Sequence, residues 1–274
     1  RQSAKIVAAI TTLNPDVLGL VEIENDGYGA DSAIQDLVNK LNAVAGAGTY
    51  AFINVDANTG MPDAMGDDAI RNAIIYQPAS VTPVGTTAVL DTVAFVNGGD
   101  SAPRNRVSVL QAFEDNDTTA VFLVNVNHLK SKGSACDDPD AGDGQGNCNI
   151  VRENAVYELV SWFGTDPTGT ADPDIVMLGD LNSYAKEDPI VALEAAGFIN
   201  SAHAFLGDAA YSYVFNENVG GLDYAMVSPT FYSQTSGVQE WHINADEPIV
   251  LDYNTNFKSA GQISSLYDES YYRM

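Results

Sequence analysis

What most constrains this chain is a repeated pairing: a short apolar run of strand length, joined directly to an acid, an amide or an imidazole. "IVMLGDLNSY" (175–184) passes from four apolar residues to Asp180 and Asn182. "VLGLVEIEN" (17–25) ends in Glu22 and Glu24, "VFLVNVNHLKSK" (121–132) leads to Asn127 and His128, and "GGLDYAMV" (220–227) carries Asp223 at its head. An apolar run of about four to eight residues reads as a buried strand. Burial favours the run and penalises a polar group that lacks a partner. An acid fixed at the end of such a strand is therefore better placed facing a cleft, and ligands in α/β sheets gather outside the carboxyl ends of the strands.

Helical spacing alternates with these strands. Ile6, Val7, Ile10 and Leu13 share one face, and Asn14-Pro15 stops that helix. Ile34, Leu37, Val38 and Leu41 repeat the pattern, as do Val156, Leu159, Val160 and Phe163. Asp188 reads as an N-cap with Pro189 in the first turn, and Gly197 as the stop. Residues 50–55 and 72–76 read as strands separated by the loop "DANTGMPDAMGDD"; 108–113 and 120–127 read as a strand pair around "EDND". No linker divides the chain and no repeat occurs. Interleaved helices and strands, some of them hairpin pairs, predict one α/β domain over residues 1–274 with mixed sheets.

Charge narrows the function. The chain of 274 residues holds 37 acidic and 12 basic side chains, a formal net charge of −25. That favours solubility and opposes general affinity for anionic polymers. No apolar run reaches the about 18 residues of a membrane helix. Cys136 and Cys148 bracket a loop of Asp, Gly and Pro. A disulfide closing it, with an oxidising compartment, is expected, two free thiols being the alternative. The spacing lacks the neighbours of a zinc site. Asp137, Asp138, Asp140 and Asp143 form a solvated acidic loop or, alternatively, a calcium site.

If the strand ends are neighbours, Glu22, His128, Asp180, Asn182 and Asp223 share one pocket. Carboxylates with an amide suit a hard, oxygen-seeking cation such as Mg²⁺ or Mn²⁺, which polarises a phosphoryl oxygen and steadies a leaving alkoxide. A histidine beside the phosphate serves as hydrogen-bond donor or general acid/base. Each residue also has a plainer reading, the acids as turn formers and the histidine as polar surface.

"LGLVEIEN", "NHLKSKG", "LGDLNSY" and "LDYAMVS" occur in that order. Together they resemble the endonuclease/exonuclease/phosphatase superfamily over nearly the whole chain. With "HLKSKGS…C…GNCN…R" they are most similar to bacterial secreted nucleases of the deoxyribonuclease I kind. The resemblance implies two mixed β-sheets packed as a sandwich and flanked by helices, and a secreted, extracellular or periplasmic hydrolase of DNA phosphodiesters, with RNA as an alternative substrate. It implies Mg²⁺ or Mn²⁺, with Ca²⁺ as a further ion, and neither a membrane nor a protein partner. Residue by residue, Glu22 matches the metal-binding glutamate and Asp180 the aspartate that positions or deprotonates the attacking water. Asn182 matches an amide that helps hold that water or the phosphate, His128 a histidine on the scissile phosphate, and Asp223 the aspartate that orients a second histidine. Arg106 matches a phosphate-contacting arginine and Arg71 lies near another such position; Arg104 and Arg152 are further candidates whose plainer reading is a surface salt bridge.

The pattern departs from the family at both ends. An asparagine strand expected before the first helix and a C-terminal Ser-Asp-His segment are not seen; the sequence runs to "DESYYRM". The domain is thus expected to lack terminal strands. His203 and His242 read as structural. Two other readings stand beside the nuclease: a phosphomonoesterase or phospholipid-directed enzyme of the same fold, for which "AYSYVF" (210–215) is the one aromatic candidate segment, and an inactive binding module.

Overall fold

Alternation along the strands sorts the apolar side chains into three layers, and that sorting builds the molecule. The computed structural model describes residues 2–215, 217–243, 245, 256 and 258–266. Its strands are β1 (Val17–Glu24), β2 (Ala51–Phe52), β3 (Ile70–Tyr76), β4 (Val81–Leu90), β5 (Ser108–Asp115), β6 (Val121–His128), β7 (Ile175–Asp180), β8 (Ile199–Asn200), β9 (Tyr213–Phe215), β10 (Asn218–Gly220) and β11 (Asp223–Val227). Its helices are α1 (Gln2–Leu13), α2 (Ala33–Ala45), α3 (Val55–Thr59), α4 (Val93–Asn97), α5 (Asn149–Phe163), α6 (Asp188–Ala195), α7 (Ser201–Leu206), α8 (Pro229–Tyr232) and α9 (Ala260–Leu266), with a 3₁₀ turn at Gly207–Ala209.

A six-stranded sheet runs β4-β5-β6-β7-β11-β8, and a three-stranded sheet runs β1-β3-β2. The larger sheet is mixed: β6 and β7 are parallel, and the other pairs are antiparallel. The described pairs of the smaller sheet are all antiparallel. Between the sheets lie Val17, Val21, Ile74 and Tyr76 of one and Val109, Phe113, Val124, Val126, Val176 and Leu178 of the other. The alternate residues point outward. Ala73 and Ile75 meet Val7, Ile10, Ile34, Leu37, Val38 and Leu41 of α1 and α2, and Met177 and Met226 meet Ala155, Val156, Leu159, Ile190 and Leu193 of α5 and α6. Each fully buried Leu or Ile contributes about 1.5–3 kcal/mol. The helical spacing read from 34–41 and 156–163 faces these layers as expected.

Three local expectations are corrected. Residues 50–55 give a strand of two residues, because Asn54 caps α3, its side chain accepting from the Ala57 N–H. The N-cap of α6 is Glu187 rather than Asp188, with Pro189 still in the first turn. Strand β4 lies in a stretch where no element was anticipated, and the ribbon β9–β10 falls on the candidate aromatic segment 210–215. The segment "DESYYRM" lies outside the described residues.

Candidate functional site

Strand register assembles the site. In the parallel pair β6–β7, His128 lies opposite Asp180; in the antiparallel pair β7–β11, Asp180 lies opposite Asp223. Three polar residues from separate stretches therefore stand side by side across three adjacent strands. Gly179 makes the β6–β7 approach possible. Its φ is 132°, and a Cβ there would lie 1.9 Å from the Asn127 carbonyl oxygen. No side chain fits, which accounts for the glycine of "GDLN".

Glu22 reaches the same place from the other sheet. The β1–β3 register slips between Leu20 and Ile23, so that Val21 and Glu22 together face Asn72. At this bulge Glu22 takes φ 60°, a left-handed conformation that a glutamate adopts only against an energetic cost. A bulge re-aims a side chain, and here it brings Glu22 Oε1 to 4.0 Å from His128 Nε2. Asp180 Oδ2 lies 3.8 Å from the same nitrogen. Asn182, also left-handed at φ 49°, donates its backbone N–H to Asp180 Oδ1 (2.8 Å) and its amide to the Leu129 carbonyl (3.0 Å). Its side chain thus locks the turn after β7.

The electrostatics follow from this crowding. Burial, then the charges of Asp223 and Glu22, push Asp180 up to about 7, against the hydrogen bonds from Asn182. Asp223 is raised by withdrawal from water and by Glu22, with Ser212 pulling the other way. His128 is 3% exposed. Burial and the nearby Arg106 push it down to about 4, with Lys130 adding to the effect and Asp68 opposing it. The imidazole is therefore neutral at pH 7, and its Nδ1 is buried without a hydrogen-bond partner.

Cations gather on one flank. The Arg106 N–H donates to the His128 carbonyl at 3.2 Å, and its Nε lies 3.4 Å from Asp68 Oδ2. Lys130 donates to Ser134 Oγ and is lowered by burial and by the charges of Arg106, Arg104 and Arg152. These four basic groups sit close enough to feel one another in a strongly acidic chain. Arg104 pairs with Asp100 at 3.0 Å.

Two arginines turn inward. Arg71 is 1% exposed; it donates to the Gly27 carbonyl (2.7 Å) and lies 3.9 Å over the Tyr28 ring. Arg152 is fully buried. It donates to Ser183 Oγ and to the carbonyls of Lys130, Asn147 and Gln145, so it ties the disulfide loop to β7 and is no surface salt bridge.

Cys136 and Cys148 form the expected disulfide, Cα to Cα 5.3 Å. Asp137 of that loop accepts from the Ser101 N–H and donates its own N–H to Asp100. His242 stacks on Tyr211 with ring centroids 3.6 Å apart. His203 is exposed on α7, its N–H donating to the Asn200 cap.

Two contributors carried no readable signal. Ser212 Oγ accepts the N–H groups of Leu222 and Asp223 and so fixes the start of β11. Glu187 receives the Lys132 ammonium. Both depend on long-range contacts that no spacing announces.

Among the described residues no group of three His, Cys, Asp or Glu side chains is arranged to hold a metal by itself. The donors present nevertheless fit a hard cation that takes one or two carboxylates and completes its shell with water and phosphate oxygen. The observation behind the fit is the donor set itself: Asp180 is lifted by burial and by the charges of Asp223 and Glu22, and Asp223 by Glu22 in turn, so that three carboxylates crowd one place where a cation would relieve them.

Comparisons with known proteins agree with this fold. No curated protein matches the chain by sequence. Among solved structures, the human nocturnin catalytic domain with bound sulfate is 16% identical over 83% of this chain and 74% of its own, with a TM-score of 0.56. The mannosyl-6-phosphatase of Bacteroides thetaiotaomicron is 15% identical over 84% and 77%, at 0.58. ANGEL2, a 2′,3′-cyclic phosphatase, is 15% identical over 83% and 73%, at 0.51. These likenesses show the fold and leave the substrate open, so the closeness to secreted nucleases remains a proposal. Residues 1–246 match the endonuclease/exonuclease/phosphatase family, and the chain belongs to it.

Proposed function

We propose that the chain hydrolyses phosphodiester bonds of DNA, with RNA as an alternative substrate, by metal-assisted attack of water. The observation that carries this reading is the convergence of His128, Asp180 and Asp223 in register, with Glu22 delivered from the opposite sheet. Glu22 and Asp180 would hold Mg²⁺ or Mn²⁺, Ca²⁺ being a further choice. When bound, that ion supplies charge to the phosphoryl oxygens and lowers the pKa of a coordinated water.

The protein's own groups do the rest. Asp180, at the mouth of β7, is placed to position the attacking water and accept its proton. Asn182 holds it in one orientation. His128, neutral and flanked by two carboxylates at distances too long for direct hydrogen bonds, is placed to donate to a phosphate oxygen lying between them. Arg106 and Lys130 face the backbone of the incoming strand; such contacts make binding salt-dependent. Arg71, held by Gly27 and Tyr28, supports the loop after β1. Positioning and charge stabilisation supply most of the catalysis in phosphoryl transfer. The disulfide supports a secreted or periplasmic location, where thiols oxidise.

Supercoiled plasmid incubated with Mg²⁺ plus Ca²⁺, and separately with EDTA, tests this. Metal-dependent nicking that vanishes with Asp180→Ala is expected. Hydrolysis of a sugar phosphomonoester without any nicking would replace the nuclease by a phosphatase.

A further inference from the structure

The ribbon β9–β10 belongs to neither sheet. Tyr213 and Phe215 occupy alternate positions of β9 and therefore project from one face; Val214 and its partner Val219 take the other. The two rings are 41% and 56% exposed. They lie nearly parallel, 12° apart with centroids 6.2 Å from each other. Large exposed aromatic surface of this kind is not accounted for by packing.

The ribbon is also fastened to the site. The Ser212 N–H donates to the Gly220 carbonyl, and Ser212 Oγ accepts from the N–H groups of Leu222 and Asp223. One serine thus closes the base of the ribbon and sets the catalytic-strand residue Asp223. Gly220 lies against Tyr184, where a Cβ would come within 2.7 Å of the ring. Tyr184 follows the "GDLN" turn, and the Lys132 ammonium lies 5.4 Å from its ring centroid.

We propose that Tyr213 and Phe215 form a stacking platform for a nucleobase next to the scissile phosphate, so that the enzyme selects a strand bearing bases over one bearing only sugar and phosphate. This rests on the nuclease reading. The occupant is argued from continuity: the platform leads directly into Asp223, and its flat, parallel rings match a base π-face. Stacking of this kind tolerates every base, so it gives affinity without sequence preference.

The test compares two single-stranded 12-mers, one of thymidine and one of abasic residues, cleaved by the wild type and by Tyr213→Ala/Phe215→Ala. The wild type is expected to favour the thymidine strand by about tenfold in KM, within the range of single-base stacking. The double variant should lose that preference while still cleaving the abasic strand as the wild type does, which also shows that it folds. Tyr213→Phe/Phe215→Trp should retain the preference, and Val219→Ala, on the opposite face, should leave it unchanged. A double variant that keeps the preference overturns the proposal, as does one that loses both substrates equally. Wild-type protein that sediments with phosphatidylcholine–phosphatidylglycerol vesicles, and is released by the double substitution with no effect on either strand, overturns it in favour of a lipid surface. Plasmid nicking run beside the two strands separates the failures: a wild type that nicks plasmid but cleaves neither strand overturns the platform alone, and one that does neither overturns the nuclease reading and the platform with it.

Discussion

Two populations of carboxylate divide this molecule. In the loops, acids are surrounded by donors. Asp115 is held low by the Thr118 hydroxyl and N–H, and Asp143 by the Gln145 N–H and side chain. Burial would push Asp100 up, but the N–H groups of Asp137 and Ala102 and the Arg104 guanidinium outweigh it. At the mouth of β7 and β11 the opposite holds: Asp180 is raised by burial and by the charges of Asp223 and Glu22, and Asp223 by the protein packed around its carboxyl and by Glu22. The contrast separates acids that organise backbone from acids gathered where a cation and a phosphate can use them. A perturbed carboxylate in a cleft is a functional candidate because the fold has withheld its ordinary partners.

Removing one acid from each population breaks the comparison most sharply. Asp180→Ala should lower plasmid nicking by about a thousandfold or more, since groups acting as a unit fail together. Asp143→Ala should stay within about twofold, as surface substitutions do. Equal losses would mean that both regions serve only the fold.

The next effect is on stability. Gly179→Ala places a methyl group against the Asn127 carbonyl and forces a left-handed alanine. It should cost about 3 kcal/mol in a urea melt and move Asp180 out of register with His128. A variant of wild-type stability would show that β6 and β7 can separate at the site.

Much of this was legible because burial writes periodicity. The strand 175–180 and the helix faces at 34–41 and 156–163 could be read from alternation and helical spacing, and the disulfide from a polar loop that cannot hold itself. Strand β4 could not. It contains Pro83 and Gly85, which read as breakers, and it tolerates them as an edge strand with a register shift between Val84 and Ala88. Glu22, His128, Asp180 and Asp223 were nameable as strand-end polar groups. The inward turn of Arg71 and Arg152 was not, because a guanidinium's partners here are carbonyls brought near only by the fold.

A pH titration sharpens the contrast at the mouth. Asp180, at about 7 against an ordinary 3.8, holds its proton longer when folded. Its contribution to stability is whole below 3.8 and is lost as pH rises through about 7. His128, at about 4 against 6.5, behaves in mirror fashion: its contribution is whole above 6.5 and is lost as pH falls through about 4. The two oppose each other in the acid range. In EDTA, Asp180→Asn should therefore gain stability over the wild type, by about 2 kcal/mol more at pH 8 than at pH 5 after allowance for partial solvent screening. A pH-independent difference would place Asp180 among the ordinary acids.

The smallest effect isolates the bulge. Glu22 sits at φ 60°, where glycine is at ease and glutamate is not. If the bulge exists to aim a carboxylate, stability and function must respond in opposite directions. Glu22→Gly should raise stability by about 1 kcal/mol through relief of the left-handed backbone, and nicking should fall by at least about tenfold as a carboxylate for the cation is lost. Glu22→Gln keeps the strain and removes the charge, so it should match the glycine variant in activity and the wild type in backbone strain. If Glu22→Gly were neither more stable nor less active, the bulge would be a feature of sheet closure alone, and the first strand would contribute no group to the chemistry.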